Sequence, residues 1–180
     1  IIIINQLSIL IALPIIASKV DFYSFGQISI AFTLIQASWI ISDWGMTNYI
    51  IENWSITKNK NNLCCALIYS RIAISFLIFL LYFGMIFLNL IDLPNNFKLW
   101  IFLSIFMGAL TPIWFFQLLK KSQSMIIPTI IGRLIFLLIV ILFIENSSDA
   151  YIALIAQGAG LSVVTIAGFY LIKTKHNLTF

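Results

Sequence analysis

Long apolar stretches separated by short polar breaks fill this 180-residue sequence. A bilayer core of about 30 Å needs roughly 20 apolar residues if an α-helix is to cross it. Helices also satisfy their own backbone hydrogen bonds in lipid. The stretches are continuous rather than alternating, which argues against membrane strands. The sequence predicts six spans, at about residues 1–17, 28–46, 63–88, 99–119, 125–144 and 151–172.

The composition supports the same class of protein. Hydrophobic residues make up 62% of the chain and charged residues 9%, whereas a soluble domain is about 45–50% apolar and about 25% charged. We therefore expect an all-α, polytopic membrane protein with six transmembrane helices in a single unit. The chain starts at Ile1 inside an apolar run, so we also expect a fragment of a longer protein. That run lacks a basic flank and a cleavage site, which favours a span over a signal peptide.

The lysines alternate between the polar breaks and predict an orientation. The second, fourth and sixth breaks contain six of them, Lys58, Lys60, Lys120, Lys121, Lys173 and Lys175. The other breaks contain Lys19 and Lys98 together with Asp21, Asp92, Glu145 and Asp149. Lysine-rich loops stay on the cytoplasmic side of a membrane. The lysine-rich breaks, and with them the N-terminal end of the chain, are therefore predicted to be cytoplasmic.

The sequence offers few residues for catalysis or metal binding. Cys64 and Cys65 are adjacent, and His176 lies in the polar tail. A metal site needs more ligands in one place, and acid–base chemistry needs positioned acids and bases. We expect no catalytic residue, metal or cofactor, and a protein that is not an enzyme.

Three charged residues remain inside the predicted spans: Asp43, Arg71 and Arg133. A charge at the centre of a span costs roughly 2.5–3.5 kcal/mol on insertion scales. Each arginine lies eight residues into its span, about 12 Å deep at the helical rise. Asp43 is able to pair with either arginine and simply hold the bundle together. Alternatively, an arginine faces an aqueous cleft and binds an anion, because its planar fork suits phosphate. We favour this second interpretation for at least one arginine, since ionisable residues inside membranes are usually functional.

Polar residues form one stripe on the second span and one on the third. The first stripe covers an arc of about 80° and the second about 40° at helical spacing. Their members are Ser29, Thr33, Gln36, Asp43 and Thr47, and then Arg71, Ser75, Tyr82 and Asn89. In lipid such stripes turn toward other helices or a wet cavity, which makes Gln36 and Tyr82 further candidate binding residues.

The stretch TPIWFFQLLKK, residues 111–121, contains a proline and an aromatic cluster. Pro112 is predicted to kink its helix, as are Pro14 and Pro128. Trp114 to Gln117 fit two roles, an interfacial aromatic belt or direct contact with a substrate, and the sequence leaves both open.

The segment WFFQLLKK, Trp114–Lys121, resembles the WFFQG-type signature of bacterial polysaccharide-repeat flippases. These are the O-antigen, Wzx-type branch of the multidrug/oligosaccharidyl-lipid/polysaccharide superfamily. Other segments resemble family positions in the same order: Leu13–Phe32, Ser42–Ile50, Ile130–Leu134 and Ala156–Gly160. One departure is Leu118, which stands where the family usually has glycine.

The resemblance implies one six-helix lobe, the N-terminal half of a two-lobe transporter. It implies that the full protein flips undecaprenyl-pyrophosphate-linked O-antigen or polysaccharide repeat units from the cytoplasmic to the periplasmic leaflet of the bacterial inner membrane. In that role Arg71 and Arg133 would attract pyrophosphate or acidic sugars, with Gln36, Tyr82, Trp114 and Gln117 beside them. Asp43 would be the embedded carboxylate that responds to an ion gradient. The implied partners are the lipid-linked oligosaccharide, membrane lipid and the polymerase and chain-length proteins of the pathway, with no nucleic acid.

Three alternative functions remain: an antiporter, a membrane-embedded enzyme and an assembly subunit. A cation-coupled multidrug antiporter of the same superfamily would want carboxylates in its cavity, and this sequence has more arginines there. A membrane-embedded glycosyltransferase or polymerase would need placed acids, bases or a metal. A non-transporting assembly subunit would use the arginines for structure alone.

Overall fold

The computed structural model describes residues 2–54, 56–57, 59–88, 90–91 and 93–176, and in these ranges the regular structure is helical, with no strand. The α-helices are α1 (Ile2–Ala17), α2 (Phe22–Asp43), α3 (Met46–Asn53), α4 (Lys60–Phe87), α5 (Asn95–Leu110), α6 (Ile113–Leu118), α7 (Ile126–Phe143) and α8 (Ile152–His176). Short 3-10 helices cover Ser122–Met125 and Ser147–Asp149. The expected all-α class is confirmed.

Five helical segments are long and apolar enough to cross a membrane in the described part of the chain. They are Phe22–Asn53, Lys60–Phe87, Asn95–Leu118, Ser122–Phe143 and Ser147–Thr174. The first predicted span is the shorter apolar helix α1, of 16 residues. At 1.5 Å per residue it is about 24 Å long, less than the hydrocarbon core of about 30 Å. The structure thus shows five candidate spans and one shorter apolar helix where the sequence predicted six spans.

The three prolines inside predicted spans have different effects. Pro14 lies within α1, which continues to Ala17. Pro128 lies in the first turn of α7, where a missing N–H removes no intrahelical hydrogen bond, so it starts a helix rather than bending one. Pro112 does more than kink its span, because α5 ends before it and α6 begins after it.

The helices α7 and α8 are in backbone contact through two glycines. A Cβ at Gly132 would lie 2.5 Å from the Gly160 carbonyl oxygen, and a Cβ at Gly160 would lie 2.5 Å from the Gly132 carbonyl oxygen. Small residues let membrane helices approach this closely. α1 and α5 pack on α7 and α8 respectively, so this pair forms the centre of the bundle. Ala156, one turn before Gly160 on α8, is fully buried.

Two contacts show which polar breaks lie at the same end of the bundle. The grouping agrees with helices that cross a membrane in alternating directions. The Asp21 backbone N–H donates to Ser147 Oγ at 2.8 Å, which brings the first and fifth breaks to one end. The Trp54 and Phe115 rings meet edge-on with centroids 6.4 Å apart, which brings the second break to the end of the fourth span. Asn89, Lys58 and Asp92 lie outside the described residues, as do the side chains of Lys175 and His176.

Asp21 caps the N-terminus of α2 and carries an unusually acidic carboxyl group. Its Oδ2 accepts from the Tyr23 and Ser24 backbone N–H groups at 3.1 and 3.2 Å. Hydrogen bonding by the Ser147 side chain, and then by Ser24, lowers the pKa of Asp21 from 3.8 to about 2. A depressed pKa means that the ionised cap stabilises the fold above pH 3.8 and that this contribution is lost as the pH falls through about 2.

Removing the Ser147 hydroxyl should therefore raise the pKa of Asp21. We expect Ser147→Ala to move it toward 3.8 because the largest cause of the depression is gone. Carboxyl ¹³C titration of the labelled protein in detergent measures this directly. Ser148→Ala is the matched control, since the Ser148 hydroxyl contacts Asp149 instead. An Asp21 pKa that is unchanged in Ser147→Ala contradicts the assignment.

Candidate functional site

A cavity of about 390 Å³ lies where the polar faces of the helices meet. We call it the central cavity. Its polar lining residues are Asn5, Asp43, Thr47, Asn48, Arg71, Thr111, Gln117 and Thr129. Asn48 and Gln117 are exposed, whereas Arg71 and Thr129 are buried. The cavity therefore runs from an accessible mouth to a buried interior.

Arg71 is the centre of a polar cluster on one wall of this cavity. Its Nη2 forms a salt bridge with Asp43 Oδ1 and donates to Thr47 Oγ1 at 2.8 Å. Thr47 Oγ1 in turn donates to Asp43 Oδ1 at 2.6 Å. The guanidinium carbon lies 5.9 Å from the centroid of the Trp114 ring, within the range of a cation–π contact. Of the two pairings that the sequence left open for Asp43, the structure has the one with Arg71.

A left-handed turn between α2 and α3 makes the cluster possible. Trp44 has φ 38° and Gly45 has φ 75°. This conformation suits glycine and strains most other residues. The turn ends α2 at Asp43 and starts α3 at Met46. Thr47 thereby points back at Asp43, although the two residues belong to different helices.

A second interruption borders the same cavity. Thr111 adopts φ −58° and ψ 120°, the extended conformation favoured before proline. Its hydroxyl is within 2.9 Å of the Thr165 hydroxyl, which fixes the interruption against α8. The break separates the six-residue helix α6 from α5.

The short helix α6 turns its aromatic residues into the protein. Trp114, Phe115 and Phe116 are all at most 2% exposed. They are packed in the bundle, so the interfacial-belt interpretation is wrong for these three side chains. Trp114 lines the central cavity, and Gln117 lies at its mouth.

Arg133 lies at a smaller, adjoining pocket of about 170 Å³, which we call the inner pocket. Its Nε donates to Asn5 Oδ1 at 2.8 Å and its Nη1 to Gln157 Oε1 at 2.9 Å. Its Nη2 has no hydrogen-bond partner among the described residues. Arg133 is 4% exposed, and it forms no salt bridge with any described residue. It is therefore a buried positive charge held by neutral amides.

The central cavity and the inner pocket share two wall residues. Asn5 and Trp39 line both of them. The Trp39 indole N–H donates to the Ser104 carbonyl at 3.4 Å, and the ring lies against Gly108, where a Cβ would overlap it. Arg71 and Arg133 thus lie at two ends of one polar region, separated by Trp39 and Asn5.

The predicted site residues fall into three groups. Asp43, Arg71, Trp114 and Gln117 line the central cavity, and Gln36 and Arg133 line the inner pocket. Tyr82 lines neither. Its hydroxyl donates to the Leu34 carbonyl at 3.3 Å, and it packs against the core farther along α4. The structure therefore does not bring Tyr82 to this site.

Sequence reasoning missed several lining residues. Asn5 and Gln6 form a polar pair inside the first apolar run, and both line the inner pocket. That pair was a visible signal, because amides inside a span need partners. Gln157, another amide inside a span, gave the same signal and is the hydrogen-bond partner of Arg133 Nη1. Trp39 gave no comparable signal, since its role depends on contacts with distant helices.

Comparison with known proteins assigns the chain to a family. The family model described as polysaccharide biosynthesis protein matches residues 1–180. No match was found among curated proteins or among solved structures. The resemblance seen in the sequence motifs is thereby confirmed at the family level. Because the match covers every residue, the chain belongs to the polysaccharide biosynthesis protein family.

Proposed function

We propose that this chain is the N-terminal, six-helix lobe of a two-lobe flippase. The full protein would move undecaprenyl-pyrophosphate-linked O-antigen or polysaccharide repeat units from the cytoplasmic to the periplasmic leaflet of the bacterial inner membrane. The observation that carries the proposal is Arg133, a buried arginine beside a polar pocket whose neighbours are amides rather than acids. Family membership supports the same substrate class.

The charges of the two cavities favour an anionic cargo. Two arginines and one carboxylate line them, and that carboxylate, Asp43, already pairs with Arg71. One positive charge remains at Arg133. A cationic drug would meet net repulsion here, whereas pyrophosphate or an acidic sugar would compensate a buried guanidinium. This argues against the multidrug antiporter.

The remaining lining suits a saccharide. Asn5, Gln6, Gln36, Asn48 and Gln117 offer both donors and acceptors. Trp39 and Trp114 add flat apolar faces. Amides and indoles together match the mixture of hydroxyl groups and C–H faces on a sugar ring. A lipid-linked oligosaccharide therefore fits better than a purely apolar cargo.

The orientation in this proposal follows the lysines. The end of the bundle that carries Lys60, Lys120 and Lys121 would face the cytoplasm. Gln117, three residues before Lys120, is exposed at the cavity mouth, so the cavity would load from the cytoplasmic leaflet. A second lobe would complete the cleft, as in transporters that bind substrate between repeats. The polymerase and chain-length proteins would act on the cargo afterwards.

Transport rather than chemistry is the role that the lining supports. General acid–base catalysis of glycosyl transfer needs a positioned, available carboxyl or imidazole group. Asp43 is committed to Arg71 and Thr47. Its side chain is nevertheless 39% exposed, which makes Asp43 the candidate for coupling to an ion gradient.

The test is export of polymer to the cell surface. A strain that makes a lipid-linked repeat unit but lacks its own flippase receives the full-length gene or its Arg71→Ala variant at matched abundance. We expect the parent to restore surface polymer and Arg71→Ala to lower it about tenfold, the effect of losing one charge-assisted hydrogen bond. Quantitative immunoblotting of surface polymer gives the readout.

Lys98→Ala is the control variant for this assay. Lys98 is also cationic, but it pairs with Asn95 away from the central cavity. Its loss should leave export unchanged. A parent that restores no polymer across several repeat-unit types would contradict the flippase assignment. Full export by Arg71→Ala would contradict the role given to the central cavity.

A further inference from the structure

An apolar groove of about 330 Å³ lies between α3 and the start of α4. We call it the lateral groove. Its lining includes Met46, Tyr49, Leu63, Ala66, Leu67 and Ser70. It contains little polar surface, unlike the central cavity, and the function proposed above does not use it.

The lateral groove and the central cavity meet at one wall. The Ser70 hydroxyl lies 2.9 Å from Met46 Sδ and joins α4 to α3 at the inner end of the groove. The next residue on each helix, Arg71 or Thr47, lines the central cavity. Those two are hydrogen-bonded to each other at 2.8 Å. The groove therefore ends one residue away from Arg71, one of the two arginines that would attract pyrophosphate or acidic sugars.

The other side of the groove is open to the surroundings of the bundle. Tyr49 is 64% exposed, and Tyr69, next to the groove on α4, is 71% exposed. Ala66 is also exposed. At this position the side chain that α4 presents to the groove is only a methyl group. Lys60 begins α4 nearby, at the lysine-rich end of the bundle. The groove thus runs from near the lysine-rich end of the bundle toward the Arg71 cluster.

We propose that the lateral groove holds the isoprenoid chain of the lipid carrier next to its pyrophosphate. This inference rests on the proposed function. In such a carrier the first isoprene unit is bonded directly to the phosphate, so the chain must leave beside the phosphate-binding group. The groove is apolar, begins beside Arg71 and opens sideways. It would guide the chain out to the bilayer while the saccharide occupies the cavities.

The groove acts through shape rather than through the hydrophobic effect. Lipid tails are as apolar as the groove, so leaving them for the groove releases no water. What distinguishes an isoprenoid chain is its methyl branches, which pack differently from a straight acyl chain. The groove is therefore expected to prefer polyprenyl over acyl chains and to set the direction from which the carrier enters.

Photo-crosslinking tests this assignment. Full-length protein in lipid nanodiscs is irradiated with a polyprenyl pyrophosphate that carries a diazirine in its second isoprene unit, and labelled peptides are mapped by mass spectrometry. We expect labels on α3 and on residues 63–70. Ala66→Phe should reduce them about tenfold, because the ring removes space rather than a hydrophobic driving force.

Ala73→Phe is the matched control. Ala73 is exposed and lies two turns farther along α4, outside the residues that line the groove. This variant should label like the parent. Excess polyprenyl pyrophosphate should compete with the probe, whereas dioleoyl phosphatidylglycerol should not. Equal competition by that phospholipid would identify the groove as an ordinary acyl-chain contact and overturn the proposal.

Two further outcomes separate this inference from the proposed function. If the parent restores surface polymer but the labels fall elsewhere, or Ala66→Phe labels and exports like Ala73→Phe, the groove assignment is wrong and the flippase assignment stands. If the parent neither exports polymer nor takes up the probe, both are wrong.

Discussion

Arg133→Gln is expected to lower surface polymer about 10- to 100-fold at matched abundance, since a hydrogen bond to a charged group contributes about 1.5–3 kcal/mol. Arg133 is 4% exposed and has no acidic partner among the described residues. Such a charge destabilises a fold unless a ligand compensates it. Glutamine keeps a polar side chain near Asn5 and Gln157 but removes the charge. The measurement is surface polymer divided by folded protein in the membrane.

A companion variant distinguishes binding from structure. Arg133→Lys keeps the charge, but an ammonium group cannot reproduce the planar fork that donates to Asn5 and Gln157 at once. We expect it to recover part of the export lost in Arg133→Gln. If both variants lower thermal stability and leave export per folded molecule unchanged, Arg133 is a structural link between α1, α7 and α8 and has no substrate role.

Gly160→Val is expected to lower the free energy of unfolding by about 3 kcal/mol, at the upper end of typical overpacking costs. A Cβ at Gly160 would lie 2.5 Å from the Gly132 carbonyl oxygen and 3.3 Å from Phe136 Cβ. The first of these is backbone and cannot move aside without separating α7 from α8. Thermal unfolding in detergent, followed by size-exclusion chromatography, measures the loss.

Gly84→Val is the matched control for this substitution. Gly84 is also inside a predicted span, on α4, and a Cβ there meets nothing within 4 Å. Valine has the same intrinsic helix propensity at both positions, so the difference between the variants isolates the contact of α7 with α8. Equal stability of the two variants would show that the helices can separate at little cost.

Much of the secondary structure was predictable because a bilayer imposes a length on apolar helices. The fifth span was expected at residues 125–144 and is α7 at Ile126–Phe143. The interruption at Trp44 and Gly45 was not expected. The second span was predicted to end at about residue 46, within the polar residues 42–48, but hydropathy gives no signal for a left-handed turn that is followed at once by a further helix, α3. Likewise Pro112 indicated where the fourth span bends, but not that the helix ends there.

The sequence indicated which charged residues belong to the candidate site, but it did not indicate which residues they contact. Charges inside spans are costly, which singled out Arg71 and Arg133. Their different partners followed from helix packing. Arg133 and Asn5 are 128 residues apart in the chain, and helical periodicity does not specify which helices become neighbours. Tyr82 lies away from the central cavity for the same reason: the polar stripe spans a long helix, α4, and at its far end the Tyr82 hydroxyl donates to the Leu34 carbonyl of α2.

The interruptions at Trp44–Gly45 and at Thr111–Pro112 also have a mechanical consequence. Asp43 and Thr47, which flank the first interruption, and Thr111 in the second line the central cavity. By contrast, α7 and α8 are continuous helices in backbone contact. Because the backbones of α7 and α8 are in contact, these two helices resist sliding past each other and form a rigid pair. Rotation about the few backbone dihedrals of each interruption bends a segment without breaking helical hydrogen bonds. Bending at these two places would reshape the mouth of the central cavity through α3 and α6 and would leave the buried Arg133 on α7 in position.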